Sequence, residues 1–329
     1  MTRGGLSAFR APRWAVVWLL VTAATLPLLL SHQIYWILLL NLAGIYVIVN
    51  SGLDIVYGYS GQISIGQAGF YAIGAYGSAL LAARLDVPVI LSIPLAALAA
   101  ALCGALIALP SVKLVHHFLA MVTIGFGEIV RLLLLNGGEL TGGPDGIVSI
   151  PKLEIGPIVF DTNRRYFYVI LLSVTLLLTV KARLVESRIG RAFVAIRESP
   201  RAAAACGIDV QRYKVLAFAI GAFYAGVGGA LYGHLIRFVS PESFSLEQSV
   251  SFLTMVLLGG AGSLLGPILG TLIVMLLFEY LQVFGQAQMA LYGLVIIGVL
   301  FFMPRGLAGV LRDAADSAQR RRGATNGAR

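Results

Sequence analysis

The chain has 329 residues, 58% hydrophobic and 12% charged, with a mean hydropathy of +0.88 and a net charge of +9. A soluble domain carries about 25% charged residues, so this composition excludes a water-soluble globular protein and equally a disordered one; 38 glycines without a three-residue period exclude collagen. An all-α polytopic membrane protein remains, and its basic balance points to orientation in a bilayer, where cytoplasmic loops collect Lys and Arg, rather than to nucleic acid.

Apolar runs of about 17–25 residues mark spans, and ten occur, at approximately 14–30, 33–50, 62–83, 87–109, 113–135, 166–183, 213–236, 247–261, 264–284 and 286–303. Arg3, Arg10 and Arg13 lie in a short N-terminal segment, 1–13, expected in the cytoplasm. The first run exceeds a secretory h-region, and Ser31-His32-Gln33 is a poor cleavage site, so 14–30 reads as a retained helix.

Segment 52–83 is unusual for a span. Gly58, Gly61, Gly66, Gly69, Gly74 and Gly77 permit close helix approach. Ser60, Gln62, Ser64 and Gln67 add polar groups that hydrocarbon does not tolerate, which predicts a broken or re-entrant stretch lining a cavity. Asp54, just before it, and Glu279 lie close enough to helix ends to reach water. In span 113–135, Glu128 and Arg131 are spaced i, i+3, so each partly neutralises the other. An ionisable residue inside a span is a functional candidate, and Glu128 is the clearest. His116 and His117, without acidic neighbours, do not form a metal site.

Two loops are long. The outward one, 136–165, has six glycines and three prolines and predicts turns and short extended pieces, as a connector, a lid or a docking surface. The inward one, 181–212, predicts a helix from Ser187 to Glu198 with Ile189, Phe193 and Ile196 on one face. Ser199-Pro200 then reads as an N-cap and first helical residue, Ala202 to Ala205 as a second short helix, and Gly207 as its stop. This segment either rests on anionic lipid or serves as a lever fitted to a cytoplasmic partner. Cys103 and Cys206 fall in different predicted locations, against a disulfide. A second glycine cluster, Gly259, Gly260, Gly262, Gly266 and Gly270, follows about 200 residues after the first. With ten helices this suggests a five-plus-five pseudo-repeat. The tail, 304–329, carries six arginines.

With both termini in the cytoplasm, ten spans place 17 of the 24 Lys and Arg on the cytoplasmic side; nine or eleven would put one basic terminal region on the wrong side. No phosphate loop of the GxxxxGK[ST] type occurs, nor HExxH, CxxC or GxSxG, so no catalytic residue, metal or cofactor is expected. Any energy for transport comes from elsewhere.

Four segments carry a resemblance: 58–81 (GYSGQISIGQAGFYAIGAYGSALL), 117–147, 187–234 (beginning SRIGRAFVAIRESPRAAAACGIDVQR) and 256–270 (VLLGGAGSLLGPILG). In colinear order over residues 35–310, they resemble branched-chain amino acid ABC importer permeases of the LivM type. The resemblance implies a multi-pass permease of the bacterial inner membrane, domain 14–303, paired with a second homologous permease. It also implies two cytoplasmic ATP-binding subunits, which alone would hold ATP, and a periplasmic or surface-tethered solute-binding protein. The inward loop would then dock on an ATPase, through Gly190, Arg191, Ala195, Arg197, Glu198 and Gly207. Ser199-Pro200 stands where related loops have two alanines after the glutamate, and Val115-His116-His117 departs from the pattern at the start of the fifth span. Gln62, Ser64, Gln67, Thr123 and Glu128 are expected along the translocation path, which ATP binding would reorient between two faces of the membrane. A urea or short-amide importer permease shares the architecture. An ion-coupled secondary transporter is opposed by the scarcity of ionisable groups near mid-span, and a passive channel by the shaped inward loop.

Overall fold

The computed structural model describes residues 34–111, 116–155, 158–302 and 306. The expected first span, 14–30, the N-terminal segment and nearly all of the basic tail lie outside the described residues. Eleven α-helices dominate the described part: α1 (Ile34–Asp54), α2 (Gln67–Arg84), α3 (Val89–Ser111), α4 (His116–Leu135), α5 (Asn163–Glu186), α6 (Arg188–Glu198), α7 (Pro200–Ala205), α8 (Val210–Ile236), α9 (Leu246–Gly259), α10 (Gly266–Leu281) and α11 (Gln288–Phe302). Among the described residues six helices are long and apolar enough to cross a membrane, those over 34–59, 89–110, 118–135, 163–186, 210–236 and 266–285; α9 is apolar but shorter. The expected runs from 33–50 onward each fall on a helix, with two corrections.

The first correction concerns 62–83. The chain leaves α1 through a single π turn, Ile55–Tyr59, and residues 61–66 are not helical; only from Gln67 does a helix resume. Glycine and serine have little helix propensity, and the isolated donors of this stretch find partners from other helices. Ile65 N–H donates to Thr123 Oγ1 on α4 (3.0 Å) and Ala68 N–H to Ser249 Oγ on α9 (3.0 Å). Broken backbone survives at membrane depth only where protein supplies such partners. The second correction concerns 181–212: α5 runs on to Glu186, so the first six residues of the expected loop, Lys181 among them, are helical.

At the centre stands α8, packed against α1, α2 and α3. Its glycines allow this. A β-carbon on Gly226 would strike Ala97 and Ala100 of α3, and one on Gly229 would strike the backbone of α2 at Tyr71. Tyr71, Tyr76, Phe244 and Phe252 fill the space between α2, α8 and α9 with edge-on and tilted rings. On the outside of the bundle the periodic Leu91, Leu95, Leu98, Leu102, Leu106 and Leu109 of α3 are exposed, as a lipid-facing stripe would be.

The helices alternate in direction. Tyr35 at the start of α1 donates to Glu279 near the end of α10 (2.7 Å), whereas Asp54 at the end of α1 meets Lys181 near the end of α5 and Gly262 between α9 and α10. The 136–162 segment sits at the Tyr35 end as short extended pieces, as the sequence predicts. Strand β1 (Ile147–Val148) pairs antiparallel with β4 (Phe238–Val239) just past α8, and β2 (Glu154–Ile155) with β3 (Ile158–Val159).

Candidate functional site

The 187–207 segment folds as its caps dictate. Ser187 Oγ accepts from the N–H of Ile189 (3.1 Å) and Gly190 (3.5 Å), starting α6; Ser199 Oγ accepts from Ala202 N–H (3.3 Å), starting α7 with Pro200 in its first turn. Gly207 adopts φ +80° and ends α7, with Ile208 N–H closing on Ala203 O (3.1 Å), a left-handed stop that glycine adopts without penalty. Phe193 and Ile196 are buried and Ile189 is half-buried, so the predicted apolar face is the one that packs. This positions the six candidates differently. Gly190 is buried where α5 turns into α6, and a β-carbon there would overlap the backbone of Leu184 and Val185. Ala195 is half-buried. Arg191, Glu198 and Gly207 are exposed, along with Arg201, Ala202, Ala204, Ala205 and Cys206 around α7. Arg197 faces two ways: one Nη1 donates to Gly58 O (2.6 Å), while Nη2 reaches its neighbour Glu198 (3.0 Å).

The path candidates also divide. Gln62, Ser64, Gln67 and Thr123 are gathered around the helix break and all are buried. Gln62 Nε2 donates to Ser60 Oγ (2.8 Å) and Lys214 O (3.3 Å), Gln67 Nε2 to Gly221 O on α8 (3.2 Å), and Thr123 Oγ1 to Ala120 O (2.9 Å). Gln62 Oε1 and Ser64 Oγ make no hydrogen bond among the described residues. Glycine lets α4 approach, since a β-carbon on Gly66 would overlap Thr123 O and one on Gly69 would crowd Gly127 and Phe126. Glu128 stands apart from this group. The expected pair is present, with Arg131 donating through Nε and Nη2 to both carboxylate oxygens at 2.6–3.1 Å, but Glu128 is 43% exposed on the side of α4. By helical rise it lies only about 4 Å along the axis from the midpoint of α4.

One group of residues was not visible as a group in the sequence. Asp54, expected to reach water, is fully buried. Its Oδ2 accepts from Lys181 Nζ at 2.8 Å, and its Oδ1 from Gly262 N–H at 2.6 Å. Lys181 is equally buried and lies 3.5 Å from Ser263 O. The burial follows from the length of α5, which carries Lys181 into the bundle instead of leaving it on a loop. Around this pair the two glycine clusters meet: a β-carbon on Gly58 would overlap both Asp54 Oδ1 and Gly262 N. No sequence signal marks the pair; the structure places Asp54 at the start of a π turn, and such turns recur at functional positions.

A family profile described as "Branched-chain amino acid transport system / permease component" matches residues 35–303. The chain is 38% identical over 320 residues to the high-affinity branched-chain amino acid transport system permease protein LivM of Escherichia coli K12, covering 90% of this chain and 75% of that one. It is 24% identical to a probable branched-chain amino acid transport permease protein LivM of Methanocaldococcus jannaschii (80% of this chain, 90% of the relative). Against the permease protein LivH of Salmonella typhimurium the identity is 28%, over 82% and 92%. No solved structure matches.

Proposed function

The chain belongs to the branched-chain amino acid transport system permease family, and from that premise we propose that it is one of two membrane subunits of an ATP-driven importer for branched-chain amino acids. It is a permease subunit and not itself an enzyme. Two P-loop ATPases would dock on the side where α6 and α7 emerge, a second permease of related sequence would complete the translocation path, and a solute-binding protein would deliver substrate to the side carrying β1–β4. The observation that carries the reading is the α6–α7 pair. A capped amphipathic helix packs its apolar face on the bundle, and a short alanine-rich helix beyond it presents Arg201, Ala202, Ala204 and Ala205 to solvent. A lipid-resting helix would turn its apolar face away from the protein; here that face is inward and the exposed one is small and basic.

In this reading the chain has ten spans, both termini in the cytoplasm of a bacterial cell, and a five-plus-five internal repeat. Support for the repeat comes from the meeting of the glycine-rich breaks at 58–66 and 259–266. Arg191, Glu198 and Gly207 contact the ATPase, while Gly190, Ala195 and Arg197 hold α6 onto the bundle. Gln62, Ser64, Gln67 and Thr123 line the inner part of the path, supported by two polar atoms at the break, Gln62 Oε1 and Ser64 Oγ, that find no partner among the described residues. Glu128 and Arg131 face the second permease, because an ion pair this close to mid-helix is costly against hydrocarbon. ATP closure of the two ATPases moves α6 and α7, which reorients the helices around the path.

The test is purification of the tagged chain with its neighbours and reconstitution in liposomes. Co-recovery of a second permease and two P-loop ATPases, with ATP- and binding-protein-dependent leucine uptake, is the expected result. Uptake of urea or short amides in place of leucine would move the substrate to the related importer class, and uptake by the chain alone under an ion gradient would overturn the ATP-driven reading.

A further inference from the structure

The Asp54–Lys181 pair presents no surface to a partner, since both side chains are fully buried. Burying two charges costs several kcal/mol per ion, and an apolar replacement of the pair is often neutral or stabilising. Its surroundings give a reason for keeping it. Asp54 ends the regular part of α1 immediately before the π turn, and Lys181 is fixed in α5, five residues before the turn into α6. One carboxylate oxygen holds α5 and the other holds the backbone of Gly262 in the α9–α10 turn. Gly58, four residues on from Asp54, receives the guanidinium of Arg197 from α6 at 2.6 Å. A β-carbon on Gly262 would stand 3.0 Å from both Arg197 Nη1 and Gly58 O, and one on Gly61 (φ +70°) would stand 2.8 Å from Arg197 Cγ. Both glycine-rich breaks are therefore in contact with one arginine of α6, and with each other through one carboxylate.

We propose that Arg197, Gly58, Gly262 and the Asp54–Lys181 pair form a transmission latch, through which displacement of α6 and α7 moves the interrupted helix at 58–66 and the 260–263 turn together. This rests on the proposed function. Arg197 is the handle: its hydrogen bond ends on a backbone carbonyl of a π turn, an irregular single turn between α1 and the non-helical 61–66 stretch. Asp54 and Lys181 are positioning residues that keep the π turn, the α9–α10 turn and α5 in one body, so that a pull on Gly58 is not lost as local bending. A buried salt bridge suits this because its geometry is specific and its rupture is expensive. Lys181 also stands 5.8 Å from the centre of the Tyr59 ring, adding a second hold on the π turn.

The experiment uses the full complex in proteoliposomes and reads three quantities: recovery of the ATPases with the permease, ATP hydrolysis, and leucine taken up per ATP. The Asp54→Asn/Lys181→Met double variant removes both charges together and touches no partner surface. It is expected to recover the ATPases at the wild-type ratio while uptake per ATP falls at least tenfold. Arg197→Gln is expected to lose uptake per ATP to the same degree, and Arg197→Lys to regain part of it, since one ammonium can still reach one carbonyl. Wild-type uptake per ATP in the double variant overturns the latch. So does an Arg197→Gln loss that tracks the loss of bound ATPase, which would make Arg197 a docking contact. Failure of the wild-type chain to recover ATPases at all overturns the underlying function instead, and is read separately.

Discussion

The two ends of the bundle are held by different chemistry. At the Tyr35 end the 147–155 segment is fastened by backbone pairing of β1 with β4, by Ile150 and Leu153 as buried plugs, and by polar contacts that, among the described residues, include no buried acid. Arg237 Nε donates to Ile150 O (3.2 Å), and His234 bridges Pro151 O (2.8 Å) and Ser78 Oγ (2.8 Å), with Ser92 a further 2.7 Å on. At the Asp54 end the hold is a fully buried ion pair and the close approach of Gly58 to the backbone of Gly262. In the proposed function the Tyr35 end, built from short strands and plugs, is the one that receives substrate, and such a build tolerates local loss. The Asp54 end makes several contacts that share residues, which is what the proposed latch needs to deliver force.

Breaking the contrast begins where its effect is largest. Lys181→Met alone leaves the Asp54 carboxylate buried and unpaired, a change that costs about 3–5 kcal/mol. Thermal unfolding of the detergent-solubilised protein should show loss of the folded state or a large drop in Tm, which the Asp54→Asn/Lys181→Met double largely restores. An equal Tm for the single and double variants would mean the charges are not coupled. Ile150→Ala at the Tyr35 end removes a fully buried plug and costs about 2–4 kcal/mol. That loss should be confined to hydrogen exchange around 147–155 and 237–240, leaving α6 protected. Ser78→Ala removes one buried partner of His234, at about 1–3 kcal/mol, and faster exchange near residue 234 with unchanged uptake per ATP is expected. The smallest stability effect belongs to Glu198→Ala, whose side chain is 69% exposed and whose contact with Arg197 is worth about 0–1 kcal/mol at most. Uptake should nonetheless fall severalfold if Glu198 meets the ATPase. Gln62→Ala and Gln67→Ala complete the series, since wild-type uptake in both would remove these residues from the path.

The contrast also separates what the sequence makes legible from what it does not. Local signals succeed because their partners are near: Ser187, Ser199, Pro200 and Gly207 each cap or stop a helix within a few residues, and the Glu128–Arg131 pair closes within one turn. The break at 61–66 is readable because Gln62, Ser64 and Gln67 do not suit hydrocarbon. Asp54 and Lys181 fail that test, being 127 residues apart. Proximity to a helix end makes Asp54 a group expected to reach water, and Lys181 falls at the start of the expected 181–212 loop, but packing of α1, α5 and the α9–α10 turn decides otherwise. The pairing of Ile147 with Val239 is hidden for the same reason. It depends on where α8 ends, not on the composition of the 136–165 segment.

Cys206 allows the central claim to be tested in place, because it is exposed at the end of α7. In a Cys103→Ala background a thiol-directed cross-linker attached at Cys206 should capture a P-loop ATPase, and a membrane-impermeant maleimide added to intact cells should leave Cys206 unlabelled while labelling a cysteine placed at Val148. Labelling of Cys206 from outside, with no ATPase captured, would contradict the account.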